Sequence, residues 1–479
     1  MKWLRENLEF FLIAGLLFGV IFAASSFISA GTTEYYPTKL FDQSIVHTIR
    51  LSLSETDLAS LLANPKESTR YHVSVQIDGE DFSDVALSTH GNASLFSLAN
   101  SYASAEDDTS LAGRFSYKLK FNRFHDGQTY YGLDELVLSN LNADPSGMRD
   151  YLAYDIMRAA GAEAPLAAYT EVYLNDELKG LYLAIEEIDA SFLERNHASP
   201  DTTLYKPEAL AHDYSARHLA EQYLAEGEAL DLVTDSSAPG FDNGGSDLRY
   251  RGSDPSDYPA IFDHNITKVS PKDRQFVLDS LRSLAPESEL AVEEILSTST
   301  LDPENYWDID ALVRYFAAHN FVINVDSYTG WTAHNYILKS SPAGSTLLPW
   351  DYNLAFQGLW LDVTPSKQNA STVHEWDIDE LIFSTDSEPR PLWNLIVSHP
   401  EYKERYHAAL QSLLDNYFAS GSADVKIIQT AELIRPYLEA DPTKFYTLEE
   451  FDDEVSYLRR FVFYRADSIQ KQLWQVADL

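Results

Sequence analysis

Asp326, Asn335 and Asp351 have the residue types and the order needed to handle a phosphate chain and its metal. They lie nine and sixteen residues apart, in the stretches Val322-Ile-Asn-Val-Asp-Ser-Tyr-Thr-Gly-Trp-Thr-Ala-His-Asn-Tyr-Ile-Leu-Lys339 and Leu347-Leu-Pro-Trp-Asp-Tyr-Asn-Leu-Ala-Phe356. An acid, an amide and a second acid, carried by a loop and two apolar strands, can converge on one hard cation, which prefers carboxylate, amide and phosphate oxygens. In phosphoryl transfer the first acid orients the acceptor hydroxyl, while the amide and the second acid hold metal. Each residue also has a plainer reading. Asp326 can cap the apolar helix that ends in Val322-Ile-Asn-Val, Asp351 can close an Asx turn, and Asn353 is either a supplementary ligand or a turn residue. His334 has no second nitrogen ligand nearby, which disfavours zinc, so it is read as structural.

The elements around these residues follow from hydrophobic period. Tyr71 to Ile77 alternates, Asp78-Gly-Glu turns, and Val85-Ala-Leu87 restarts a strand. Phe115, Tyr117, Leu119 and Phe121 share one strand face, and Lys118 and Lys120 the other. Such a strand can hold an ammonium as a fixed countercharge to phosphate; Lys118 is the first candidate, and Lys120 projects to the same side. A short helix is expected at Glu55 to Leu62, and a longer one follows Asp144-Pro-Ser, with Met148, Leu152, Ile156 and Ala159 as its stripe and Gly161 as its stop. Val172 to Ile185 reads as a hairpin. Residues 197–264 lose periodicity, and helices are expected at 272–285, 288–297, 308–323 and through 390–476.

The wording of these blocks resembles the CotH kinase family, the spore-coat protein H-like atypical kinases. Asp326-Ser-Tyr, His334-Asn-Tyr and Pro349-Trp-Asp-Tyr-Asn look like its C-terminal motifs. Gly180-Leu-Tyr-Leu-Ala-Ile-Glu-Glu-Ile-Asp189 and Gly91-Asn-Ala-Ser94 before Tyr117-Lys-Leu-Lys-Phe121 look like its upstream blocks. The resemblance implies an α+β, protein-kinase-like bilobal fold: a β-rich N-lobe-like region over 40–190 and a mainly helical C-lobe-like region over 191–479. It implies ATP and Mg2+ as cofactors, Asp326 and Lys118 as catalytic residues, and Asn335 and Asp351 as metal ligands. Gly91, Asn92, Ser94, Lys118 and Glu186 would contact nucleotide, the first three through backbone N–H groups facing phosphate. The chain departs from the family where Thr89-His90 replaces an Arg before the Gly-Asn pair. Its 148–160 helix also offers Asp150 and Asp155, but no Glu, to pair with the lysine.

Composition narrows the setting. With 74 acidic against 35 basic residues in 479 and a formal charge of −39, the chain lacks the basic clusters that nucleic acid requires. Without cysteine, disulfides, thiolate metal sites and cysteine nucleophiles are excluded. Residues 1–31 read as a membrane segment: Lys2 and Arg5 precede an uncharged run from Phe10 to Ala30 of about the ~20 residues that span a bilayer. The positive-inside rule leaves the large domain outside the cytoplasm. A cleaved signal ending near Ala24 or Ala30 is the alternative, giving a secreted protein. The expectation is an extracytoplasmic, single-pass Ser/Thr kinase acting on a surface or secreted protein. The rival readings are a non-catalytic surface protein that binds glycans or partner proteins, and a metal-dependent glycan hydrolase using paired acids.

Overall fold

A computed structural model describes residues 35–67, 69–91, 113–208, 243–285, 301–330, 333–358, 370–382 and 390–477. Seven strands form a closed barrel: β1 (His47–Ser52), β2 (Tyr71–Ile77), β3 (Glu80–His90), β4 (Ser116–Lys120), β5 (Glu135–Ser139), β6 (Ala167–Leu174) and β7 (Glu177–Glu186). Neighbours pair antiparallel in the order 1-2-3-4-5-7-6. A parallel pairing of β1 with β6, running from His47 opposite Thr170 to Leu51 opposite Leu174, closes the ring.

Alternation explains why the barrel closes. Ile49, Leu51, Val73, Val75, Leu87, Tyr117, Leu119, Leu136, Leu138, Val172, Tyr182 and Ala184 point inward and form one apolar core. Their neighbours Val137, Tyr169, Leu181, Leu183 and Ile185 point outward and belong to a second core shared with the helices. That is why β7 is buried along most of its length: both of its faces are covered. Lys118, Lys120 and Glu135 alternate with the inward set and therefore stand on the outer wall.

The second core is built on α2 (Arg149–Ala159) and α5 (Ile309–Val322), with α6 (Pro391–Ser398), α7 (Pro400–Leu413), α8 (Ser422–Ala440) and α9 (Leu448–Ala477) around them. Further helices are α1 (Glu55–Ala63), capped by Ser54, α3 (Ala190–Arg195), capped by Asp189, and α4 (Pro271–Ser283), with a capping box from Ser270 and Asp273. A small sheet of β8 (Thr203–Tyr205), β9 (Tyr336–Ser341) and β10 (Gly344–Pro349) lies against α5. Its β9–β10 hairpin carries Asn335 just before it and Asp351 just after it.

The barrel is locked to the helical region by Asp441, which follows α8. It accepts from the Leu181 amide at 3.0 Å and lies 3.0 Å from the Arg114 guanidinium, both partners buried. Gly180, at φ +99°, leaves room for this: a Cβ there would lie 1.9 Å from Arg114 and 2.0 Å from Asp441. The expected kinase-like bilobal architecture is thereby corrected. The β region is a closed barrel whose outer wall is fused into the helical core, and a single apolar cluster runs from Val137 to Leu473. The segment expected to span a membrane lies outside the described residues, among which no helix is long and apolar enough to cross one; the helix expected at 288–297 also falls outside them.

Candidate phosphoryl-transfer site

Asp326 sits in the turn that leaves α5. Asp308 caps the start of that helix, and Ile323 ends it in the left-handed region at φ 46°, donating its amide back to the His319 carbonyl at 3.1 Å. A β-branched residue at positive φ is strained. The turn is tight at Gly330, where a Cβ would meet the Val325 carbonyl at 1.9 Å. Asn335 reaches across the turn: its Nδ2 donates to the Asp326 carboxylate at 2.9 Å and to the Asp326 carbonyl at 3.0 Å. Both partners only accept, so the amide has one orientation, with Oδ1 turned away from Asp326. His334 Nε2 lies 3.2 Å from the other Asp326 oxygen. Asn335 and Asp351 adopt positive φ as well, 56° and 55°.

Asp351 is exposed to solvent as a residue, yet enough protein surrounds its carboxylate to raise its pKa to about 6. Burial is the larger cause, followed by the negative charge of Asp326, with Lys206 and His334 opposing. The two acids are thus close enough to repel. Asp150, at the start of α2, is buried and accepts from the Tyr352 amide at 2.6 Å. Its pKa is raised by burial first and then by Asp351.

Lys118 faces this region from the barrel wall. Its ammonium lies 2.7 Å from Glu135 and 2.9 Å from Glu187, and Glu135 also pairs with Lys120. Burial works against the charge on Lys118, but Glu187 and Glu135 outweigh it and raise its pKa. The lysine is thus paired by strand acids, not by α2: Asp150 holds Tyr352, and Asp155 bonds Arg158 and accepts from Tyr417. Lys206, after β8, pairs with Glu208 at 2.9 Å and carries a second positive charge toward Asp351 and Glu187. His90, at the end of β3, is held neutral with a pKa of about 3, by burial first and then by Lys118 and Lys206. Its ring meets Trp350, the neighbour of Asp351, edge-on at 6.4 Å. These contacts bring the barrel wall to the hairpin.

The other expected contacts divide. Glu186 is fully buried and its oxygens are taken: Tyr36 donates at 2.6 Å, Arg195 at 2.8 Å to each oxygen, and the Leu166 amide at 2.9 Å. Glu187, one residue later, is one of the two acids that hold Lys118. Gly91 is exposed at φ 90°, whereas Asn92 and Ser94 lie outside the described residues. Sequence reasoning passed over Glu135, Glu187, Lys206 and Glu208. Only the doubled acid Glu186-Glu187 and the run Lys206-Pro-Glu208 after an apolar strand marked them.

The donors suit a hard cation. Asp326, Asn335 and Asp351 offer oxygen only, and a divalent ion would relieve the repulsion that raises the Asp351 pKa. Among the described residues, no group of three or more His, Asp or Glu side chains converges as a metal cage.

An acid held by an amide, a second acid beside it and a lysine on the barrel wall make up the candidate site. Comparison with known sequences supplies the family. The profile described as CotH kinase protein matches residues 88–469, well over half of the chain, so the chain belongs to the CotH family. It is also similar to the inner spore coat protein H of Bacillus subtilis (strain 168), at 22% identity over 376 residues, covering 76% of this chain and 87% of that protein.

Proposed function

We propose that this protein is an ATP- and Mg2+-dependent protein kinase that transfers the γ-phosphate to a Ser or Thr hydroxyl of a surface or secreted protein. The observation that carries the reading is the convergence of Asp326, Asn335 and Asp351, with Asn335 bonded to Asp326 and Asp351 repelled by it. Asp326 orients the acceptor hydroxyl and draws its proton, since each carboxylate oxygen keeps a lone pair beyond those used by Asn335 and His334. Asn335 Oδ1 and Asp351 would hold the ion, which supplies charge neutralisation at the phosphates when bound. Lys118 supplies fixed positive charge from the barrel wall, held in place by Glu135 and Glu187. Gly91 and the neighbouring Asn92 and Ser94 are assigned to the phosphates and Lys206 to the same field of charge. The relative's name places that protein in a spore coat, which supports a surface or extracellular setting for this one.

The deciding experiment is nucleotide binding by the purified chain with and without magnesium. ATP with Mg2+ should raise the melting temperature more than ATP alone, by ligand linkage. Equal shifts at saturating nucleotide would remove the metal site and favour the non-catalytic surface reading.

A further inference from the structure

The residues that follow the two acids are tied to one buried histidine. His319, on the last full turn of α5, is fully buried, as are Tyr315, Ser327, Thr329 and Tyr352. Its Nε2 lies 2.7 Å from the Thr329 hydroxyl and 3.3 Å from that of Ser327, the residue after Asp326. On the opposite edge, Nδ1 lies 2.9 Å from the hydroxyl of Tyr352, the residue after Asp351. The Tyr352 hydroxyl is in turn 3.0 Å from that of Tyr315, one turn earlier on α5. One arrangement gives every donor an acceptor. Tyr315 donates to Tyr352, Tyr352 to Nδ1, and Nε2–H to Thr329; Thr329 then donates to Ser327 at 3.2 Å, and Ser327 to the Asn324 carbonyl at 2.6 Å. Burial keeps the ring neutral, so both edges stay available for these roles.

We infer that His319 is a positioning residue that sets the separation of Asp326 from Asp351 by bridging the loop after α5 to the segment after β10 through Thr329 and Tyr352. Apolar packing could cover these loops, but packing slides. A five-membered ring bonded at both edges fixes a distance, and the two acids it serves repel each other without metal. Its neighbours carry strain, Ile323 at φ 46° and Asp351 at φ 55°, which a rigid tie has to hold. The consequence for rate rests on the kinase reading above, whereas the consequence for geometry does not.

The test uses the full-length chain and the near-isosteric variants Thr329→Val and Tyr352→Phe, alone and combined, so that each end of the bridge is cut without opening a cavity. If the bridge sets the geometry, either single variant should lower kcat for phosphate transfer at least about tenfold while KM for ATP moves less than about threefold. The double variant should be no more than about threefold worse than the poorer single, because both cut one connection. Crystal structures of the variants should show the Asp326 carboxylate displaced relative to Asp351, with α5 and the β9–β10 hairpin in place. His319→Gln, whose amide reaches the Nε2 position, should recover more transfer than His319→Ala. Unchanged acid separation in the crystals overturns the inference, as do losses that multiply in the double variant or that merely follow the folded fraction. A wild-type chain that neither binds nucleotide with magnesium nor transfers phosphate would sink the kinase reading, and the crystal structures would still decide the bridge.

Discussion

Asn335 grips Asp326 twice through one nitrogen, 2.9 Å from the carboxylate and 3.0 Å from the carbonyl of the same residue. The acid is held by an amide that has only hydrogen to offer on that side. Asp326→Asn replaces an acceptor by an amide that must either turn its oxygen to Asn335 or face it nitrogen to nitrogen, and it removes the proton acceptor in both cases. Transfer should fall by about 100-fold or more, with nucleotide binding largely kept. Asp351→Asn should weaken both. The check is kcat alongside ATP affinity with magnesium, and wild-type turnover by Asp326→Asn would refute its role.

The raised pKa of Asp351, about 6, sets a pH signature. An unfolded Asp titrates near ~3.9, so between that pH and about 6 the folded chain holds a proton that the unfolded chain has lost. Asp351 therefore contributes stability at the acidic end of this window that disappears as pH rises through it. Magnesium favours the carboxylate, so its binding should release a proton at pH ~5.5 and nearly none at pH ~7.5. Calorimetry in buffers of different ionisation enthalpy measures this. Equal proton release at the two pH values would show that Asp351 is not a ligand.

Lys118 stands between Glu135 and Glu187, so its removal leaves Glu187 without that partner beside Glu135, which keeps only Lys120. Lys118→Met should cost about 1–3 kcal/mol of stability, between the values for exposed and buried pairs, and should also slow transfer. Lys118→Met with Glu187→Gln should regain part of the stability and none of the transfer. Denaturant melts paired with rates separate the two effects, and full recovery of transfer in the double variant would make Lys118 structural only.

Asp441→Ala should be costlier. It strands the Arg114 guanidinium, which is buried against Tyr182 and Phe445, and it leaves the Leu181 amide without its acceptor. A loss of about 3–5 kcal/mol is expected. Gly180→Ala should destabilise through the same contact, because its Cβ would strike Arg114 and Asp441. Thermal melts showing either variant within about 0.5 kcal/mol of wild type would dismiss the lock.

Local pattern revealed much of this. The alternation at Tyr71 to Ile77 and the stripe from Met148 to Ala159 formed as elements close to the expected bounds, and the hairpin expected from Val172 to Ile185 formed with its first strand beginning earlier, at Ala167. Asp326, Asn335 and Asp351 were legible because they sit beside short motifs. Closure of the barrel was not, because β1 pairs with β6 across more than a hundred residues and alternation reports which face is apolar, not which strand lies alongside. The partners of Lys118 were missed for a similar reason: the acids weighed for it were Asp150 and Asp155 of α2, whereas Glu135 and Glu187 hold it. Glu186 and Glu187 are adjacent in sequence but point to opposite faces of the wall, so a shift of one residue exchanges a buried tie to Arg195 for the lysine's partner.

Arg465, deep in α9, has a consequence for timing. Its guanidinium is fully buried and bonds the carbonyls of Trp376 at 2.6 Å and Asn320 at 3.1 Å, and Asn320 is the neighbour of His319 on α5. The support under the acid pair therefore includes a residue more than a hundred positions beyond Asp351 in the chain. A nascent chain can complete the barrel, and even present Asp326 and Asp351, long before this brace arrives. The acid pair is thus presented before it is braced, and its final geometry waits on the docking of α9.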